Sequence, residues 1–86
     1  MTEREVIIKT DHGLHARPAA QFVQKASSFA SDIIIVFKDR EINGKSILAV
    51  TSLGATKDDR IKIKASGSDE EKAIKRLTEL IESLEN

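Results

Sequence analysis

Apolar and polar positions follow strand-like patterns in four segments of the chain. Residues 5–10 contain an apolar β-branched run, residues 33–37 are β-branched except for one phenylalanine, and residues 60–65 alternate strictly between polar and apolar. Such side chains suit a packed, pleated surface, and a period of two is typical of a strand with one buried face. A polar turn at residues 38–40 leads into a weak strand around residues 41–42. We therefore predict four strands, two of which form a hairpin.

Two longer segments have the period of an amphipathic helix. From residue 16 to about residue 27, apolar positions recur at spacings of 3, 4 and 7, which is typical of one helical face. The other helix follows residues 68–71, whose sequence Ser-Asp-Glu-Glu has the form of a capping box. Charged residues occupy its outer face, and its apolar stripe consists of Ala73, Ile74, Leu77, Leu80, Ile81 and Leu84.

A short third helix is predicted between the hairpin and the last strand. Ser46 is a good N-cap candidate, the helix would run through Leu53, and Gly54 stands at the C′ position. The element order is then strand, helix, strand, strand, helix, strand, helix. In 86 residues, this order predicts one α+β domain spanning the whole chain, with a single antiparallel sheet and its helices on one face.

Composition excludes several classes of protein. Fourteen basic residues balance fourteen acidic ones and there are only three aromatic residues, which argues against nucleic-acid binding. The absence of cysteine excludes disulfides, thiolate chemistry and cysteine-type zinc sites. Residues 1–5 include three charged side chains and no long apolar run follows them, so we expect neither a signal peptide nor membrane insertion. A small soluble cytoplasmic protein is expected.

Residues 11–20 carry the candidate chemistry, because a glycine ends the first strand and a helix begins immediately after a histidine. Pro18 fits the first turn of that helix, which places His15 at or next to the N-cap and Arg17 just inside. A helix N-terminus attracts anions, and its positive end favours the neutral, nucleophilic imidazole. The pattern therefore suggests a phosphorylatable His15, supported by Arg17 and nearby backbone donors. The alternative is a solvated capping histidine.

Two motifs resemble those of one known family. Residues 13–19, Gly-Leu-His-Ala-Arg-Pro-Ala, resemble the active-site signature of HPr, the histidine-containing phosphocarrier family of the phosphoenolpyruvate-dependent sugar phosphotransferase system. Residues 43–54 resemble the regulatory serine region of that family. The resemblance implies an open-faced β-sandwich and a phosphoryl group on the δ nitrogen of His15. It also implies support from the Arg17 side chain and the Ala16 and Arg17 backbone, with no metal or cofactor.

The resemblance also implies partners and regulation. The phosphoryl group would come from enzyme I and pass to sugar-specific enzyme IIA domains. Ser46 matches a serine that HPr serine kinase/phosphorylase modifies in many bacteria, with a catabolite-control transcription regulator as a further partner. Ile47, Leu48 and Thr51, together with Ala20, match the surface that docks onto partners. The simpler alternatives are that Ser46 only caps a helix and that the apolar residues of this region are core.

Other hypotheses remain at this stage. A regulatory adaptor acting through phosphorylated Ser46 is one, and a carrier of a nitrogen-related or dihydroxyacetone-linked branch is another. A small hydrolase using His15 lacks a paired catalytic group. His12 departs from the small polar residue that is common in the family; with His15 it supplies only two metal ligands, so a solvent-exposed histidine is the preferred interpretation. Leu48 and Thr51 stand where the family often has methionine, which leaves partner identity open.

Overall fold

A computed structural model of the chain describes residues 1–9, 14 and 16–83. The elements appear in the predicted order, strand, helix, strand, strand, helix, strand, helix. Their bounds are β1 Thr2–Ile7, α1 Ala16–Ser27, β2 Asp32–Phe37, β3 Arg40–Asn43, α2 Ile47–Thr51, β4 Arg60–Ser66 and α3 Glu70–Ser83. No helix among these residues is long and apolar enough to cross a membrane.

The strands form one antiparallel sheet in the order β1-β4-β2-β3. In this register Ile35 of β2 lies opposite Ile63 of β4, so the buried positions of the two central strands share one face. The apolar residues of α1 and α3 meet that face in a common core that includes Phe22, Ile74 and Leu77. The predicted α+β class, with one antiparallel sheet covered by helices on one side, is confirmed.

The other face of the sheet is lined by oppositely charged neighbours. Because side chains alternate along a strand, Glu3, Glu5, Glu41, Arg60, Lys62 and Lys64 lie on the face away from the helices. They form three exposed ion pairs: Glu5 with Arg60 at 3.5 Å, Glu3 with Lys62 at 3.7 Å, and Glu41 with Lys64 at 3.4 Å. Each such pair stabilises little on its own, and together they balance the charges that β1, β3 and β4 place on this face.

The first strand begins earlier than its apolar run predicts. β1 covers Thr2–Ile7 and not residues 5–10, and of the predicted segment residue 10 lies outside the described residues. The charged start of the chain pairs with β4, where Glu3 lies opposite Lys64 and Glu5 opposite Lys62. Cross-strand charge complementarity thus extends the strand into a segment without apolar periodicity.

The short helix ends two residues before its predicted end. α2 stops at Thr51 with Ser52 as its C-cap, while Leu53 turns into the core and is only 5% exposed. Gly54 therefore lies one position beyond C′, although its φ of +72° confirms a left-handed residue there. The hairpin turn is also tighter than predicted: Lys38 and Asp39 both have positive φ, and residue 40 already belongs to β3.

The capping box predicted at residues 68–71 is wrong. α3 begins at Glu70, and the amide of Ala73 donates to the Asp69 carbonyl at 2.9 Å, which makes Asp69 the N-cap residue. The Asp69 carboxylate reaches the loop before β2, where it accepts hydrogen bonds from the Ser31 hydroxyl and from the Ala30 and Ser31 amides. These bonds, that of the Ser31 hydroxyl above all, lower the pKa of Asp69.

Glu70 joins the start of α3 to the first strand. Its carboxylate accepts hydrogen bonds from the Thr2 hydroxyl at 2.7 Å and from the Gly67 amide at 3.2 Å. It also lies 3.0 Å from the α-amino group of Met1. The hydrogen bond from Thr2 is the largest of the causes that lower the pKa of Glu70 to about 2. The carboxylate therefore remains charged well into the acid range.

Candidate phosphoryl-transfer site

The start of α1 provides the described part of the candidate site. The helix begins at Ala16, so His15 is the residue directly before it, as the sequence pattern predicts. His15 itself lies outside the described residues. Arg17 is exposed in the first turn, and the buried Pro18 follows it. The amide groups of the first turn have no acceptor within the helix, and Pro18 removes one donor that the helix could not use.

A buried leucine fixes where this helix begins. Leu14 is 2% exposed, and its amide donates to the carbonyl of Ala55 at 3.2 Å. Ala55 follows α2 in the chain and is itself buried. This contact holds the segment before α1 against the segment after α2. Sequence reasoning placed residue 14 in a turn and missed this role; the signal available was an apolar residue among polar neighbours.

Ser46 caps α2 as predicted. Its backbone is extended, with φ −109° and ψ 115°, and its Oγ accepts a hydrogen bond from the Ala49 amide at 3.2 Å. The preceding residue also has a role that sequence reasoning missed, because Lys45 donates through Nζ to the carbonyl of Phe29 at 2.9 Å. This contact ties the start of α2 to the loop after α1. Ser46 is half-buried, so part of its side chain faces solvent.

The apolar residues of the α2 region divide into a core set and an exposed set. Val50 is fully buried and Leu53 nearly so, whereas Ile47 is 48% exposed and Leu48 is 77% exposed. Thr51 is half-buried, and its hydroxyl donates to the Ile47 and Leu48 carbonyls at 2.9 and 3.1 Å. Val50 and Leu53 therefore belong to the core, whereas Ile47 and Leu48 are exposed.

The two helices are neighbours in the fold. α1 packs against α2, and Ala20 is exposed one turn after the start of α1. The structure thus places Arg17 and Ala20 on one helix and Ser46, Ile47 and Leu48 on the adjacent one. An exposed guanidinium on one helix can bind an anionic group, and two exposed apolar side chains on the helix packed against it can contact a protein surface.

Metal binding has no support from the described part of the chain. Residues 1–9, 14 and 16–83 contain no group of three histidine or carboxylate side chains placed to hold an ion. His12 and His15, the two imidazoles considered as ligands, both lie outside these residues.

The comparison with known proteins decides the family. A family model described as the PTS HPr component phosphorylation site matches residues 2–83. The chain belongs to the HPr family.

Relatives of the HPr family match the chain over almost its full length. Phosphocarrier protein HPr from Buchnera aphidicola subsp. Schizaphis graminum is 42% identical over 85 residues, which are 99% of this chain and 100% of the relative. HPr-C-His from Thermoanaerobacter tengcongensis is 49% identical with a TM-score of 0.94, covering 96% of this chain and 93% of that one.

A phosphocarrier HPr from Bacillus anthracis has the same fold. It is 38% identical with a TM-score of 0.90, covering 93% of this chain and 95% of that one. Together these matches make the chain a phosphocarrier of the phosphotransferase system, whose partners are proteins of that system.

Proposed function

We propose that His15 accepts a phosphoryl group from enzyme I and passes it to sugar-specific enzyme IIA domains. One observation carries this proposal: α1 begins at the residue after His15, with the Arg17 guanidinium exposed in its first turn. The helix start supplies amide donors at Ala16 and Arg17, and the guanidinium supplies charge-assisted hydrogen bonds to phosphate oxygens. Transfer between two partners requires that each of them can approach the phosphorus in line.

The partner surface in this proposal combines both helices. Leu48 and Ile47 present apolar surface next to the helix that follows His15, with Ala20 and Thr51 at its margins. Enzyme I and the IIA domains would dock on this surface in turn, because each must bring its phosphoryl donor or acceptor to the same imidazole. A cytoplasmic location follows for a carrier that exchanges its load with such partners.

Intact mass measured after incubation with phosphoenolpyruvate and enzyme I tests the proposal. Wild type should gain one acid-labile phosphoryl group, His15→Ala should gain none, and His12→Ala should behave as wild type. His12→Ala is the matched control because it removes the other imidazole of the same segment. Absence of phosphate on wild type with several enzyme I sources, or its retention in His15→Ala, would contradict the proposal.

We further propose that phosphorylation of Ser46 by a serine kinase regulates the carrier. The supporting observation is the position of this half-buried hydroxyl directly before the exposed Ile47 and Leu48. A phosphate there places close to two negative charges at the edge of the proposed docking surface. The added charge would oppose the approach of a phosphorylated enzyme I and would create a surface that a transcription regulator can recognise.

Transfer kinetics and partner binding separate the carrier role from a purely regulatory adaptor. Carrier protein phosphorylated at Ser46 should accept phosphate from enzyme I more slowly than the unmodified protein. A pure adaptor would keep its regulator binding and its biological effect in the His15→Ala variant, whereas a carrier loses its effect on sugar uptake. Equal rates of His15 phosphorylation with and without phosphate on Ser46 would contradict the regulatory proposal.

A further inference from the structure

A groove lies between the end of α1 and the start of α3, away from the start of α1. Its main depression has a volume of about 500 Å³ and is lined by Lys25, Ser28, Phe29, Asp69, Lys72 and Arg76. An adjoining depression of about 530 Å³ shares Lys25 and Ser28 and adds the side-chain amides of Gln21 and Gln24. The two depressions therefore adjoin each other, and each has a volume that small ligands can occupy.

Three basic side chains line this groove without acidic partners. Lys25, Lys72 and Arg76 are all exposed, and none forms an ion pair within the described part of the chain. The basic side chains of β4 differ, because Arg60, Lys62 and Lys64 each pair with a glutamate on the open face of the sheet. These three groove cations are therefore available to an anion that enters the groove.

Acidic groups near the groove do not neutralise it. Asp69 is the one carboxylate that lines the main depression, and both its oxygens accept hydrogen bonds from Ala30 and Ser31. Glu70 and Glu71 do not line the main depression; they line a second neighbour of it, which adjoins it through Asp69 and Lys72. Three cations and one engaged carboxylate leave the main depression with an excess of two positive charges.

The helix macrodipole favours the position of only one of the three cations. Lys25 lies in the last turn of α1, where the macrodipole favours a positive charge. Lys72 lies in the first turn of α3, where the macrodipole disfavours a positive charge, and Arg76 follows it by four residues on the same helical face. Like charges at this spacing repel each other, and a bound anion would relieve that repulsion.

We propose that this groove binds a small phosphate-bearing anion. Three ammonium and guanidinium groups around a concave surface suit phosphate oxygens, and the amides of Gln21 and Gln24 can donate to other polar groups of the ligand. Lys25 follows Arg17 by eight residues, which corresponds to about 12 Å along the axis of α1. The groove is therefore separate from the phosphorylation site, and the proposal does not depend on the relay function.

Titration of ¹H–¹⁵N spectra with pyrophosphate, at an ionic strength held constant with chloride, tests the proposal. Amides of residues 25, 28, 29, 72 and 76 should shift and saturate. Lys72→Gln and Arg76→Gln should each weaken the apparent affinity about 2- to 5-fold, as expected for exposed charge interactions. Lys75→Gln is the matched control, since it removes one charge from α3 outside the groove, and it should change the affinity by less than about 2-fold.

Several results would overturn the proposal. They are shifts that do not saturate, shifts confined to the start of α1, and equal weakening by Lys75→Gln. Polyglutamate shifting the groove amides at lower charge concentration than pyrophosphate would point to an acidic protein partner and would refute a small-anion site. Circular dichroism of each variant checks that the fold is retained, which we expect because all three substituted side chains are exposed.

Discussion

Replacing Thr78 by valine should stabilise the protein. Thr78 lies in α3 and is only 3% exposed, and its buried Oγ1 has no hydrogen-bond partner among the residues that the structure describes. A buried polar group without a partner costs about 1–3 kcal/mol, because it has lost its hydrogen bonds to water. Valine has nearly the same shape and the same β-branching, and its helix propensity is similar, so the substitution removes the hydroxyl and changes little else.

The expected magnitude follows from these terms. We expect Thr78→Val to raise the free energy of unfolding by about 1 kcal/mol, the lower end of the range for an unpaired buried polar group. For a domain of this size that corresponds to about 4–8 °C in Tm. Thr78→Ser keeps the hydroxyl and deletes a buried methyl group, which should lower the free energy of unfolding by about 1 kcal/mol. The two variants should therefore differ by about 2 kcal/mol.

Urea denaturation followed by circular dichroism measures both variants against wild type. The m-value should stay constant, because the surface exposed on unfolding is nearly unchanged. The reasoning is refuted if Thr78→Val is less stable than wild type. That outcome would mean that the hydroxyl gains a hydrogen bond in solution, for example to the carbonyl one turn earlier, as threonine does in many helices.

Three further predictions concern Glu70 at the start of α3, the N-cap of α2 at Ser46, and the two glycines at positions 67 and 54. Wild type should be more stable than Glu70→Gln by a margin that is full above about pH 4.5 and disappears as the pH falls towards 2. The reason is that the folded-state pKa of Glu70 is lowered to about 2 from an ordinary value of 4.5. Urea midpoints across this range check the prediction, and a stability difference independent of pH would refute it. Ser46→Ala should lower the free energy of unfolding by about 1 kcal/mol through loss of the N-cap, whereas Ser46→Asp should retain wild-type stability. Equal losses of stability in the two variants would argue against a capping role for Ser46. Gly67→Ala should lower the free energy of unfolding more than Gly54→Ala does. Both positions have positive φ, but only at position 67 would the new Cβ lie 2.6–2.7 Å from Ser31 atoms, because the space around position 54 is open. Thermal denaturation of both variants checks this order, and a loss of stability in Gly54→Ala equal to or above that in Gly67→Ala would contradict it.

Local pattern was enough to predict the type and order of every element. The β-branched run of β2 and the alternation of β4 identified the strands of the sheet centre, and the apolar stripe of α3 identified its packing face. The N-cap at Ser46 and the start of α1 after His15 also followed from single residues. These features depend on side chains a few positions apart, which is the range over which helix and strand preferences act.

Only the tertiary structure decided how the strands pair and where charged segments lie. The order β1-β4-β2-β3 joins strands far apart in the sequence, and no local signal encodes such neighbours. The early start of β1 depends on its pairing with β4, and the start of α3 on the Asp69 carboxylate being drawn to Ser31, 38 residues away. Long-range partners override local propensity in both cases.

In the candidate site too, some features were predicted from the sequence and others were decided by packing. The sequence identified His15, Arg17 and Ser46 by motif, but it left open which apolar residues of α2 face solvent. Burial of Val50 and exposure of Leu48 follow from how α2 sits against α1 and the core, and neighbours along the chain do not determine this. The groove between α1 and α3 is likewise a product of packing, because Lys25 and Arg76 meet only after both helices have docked on the sheet.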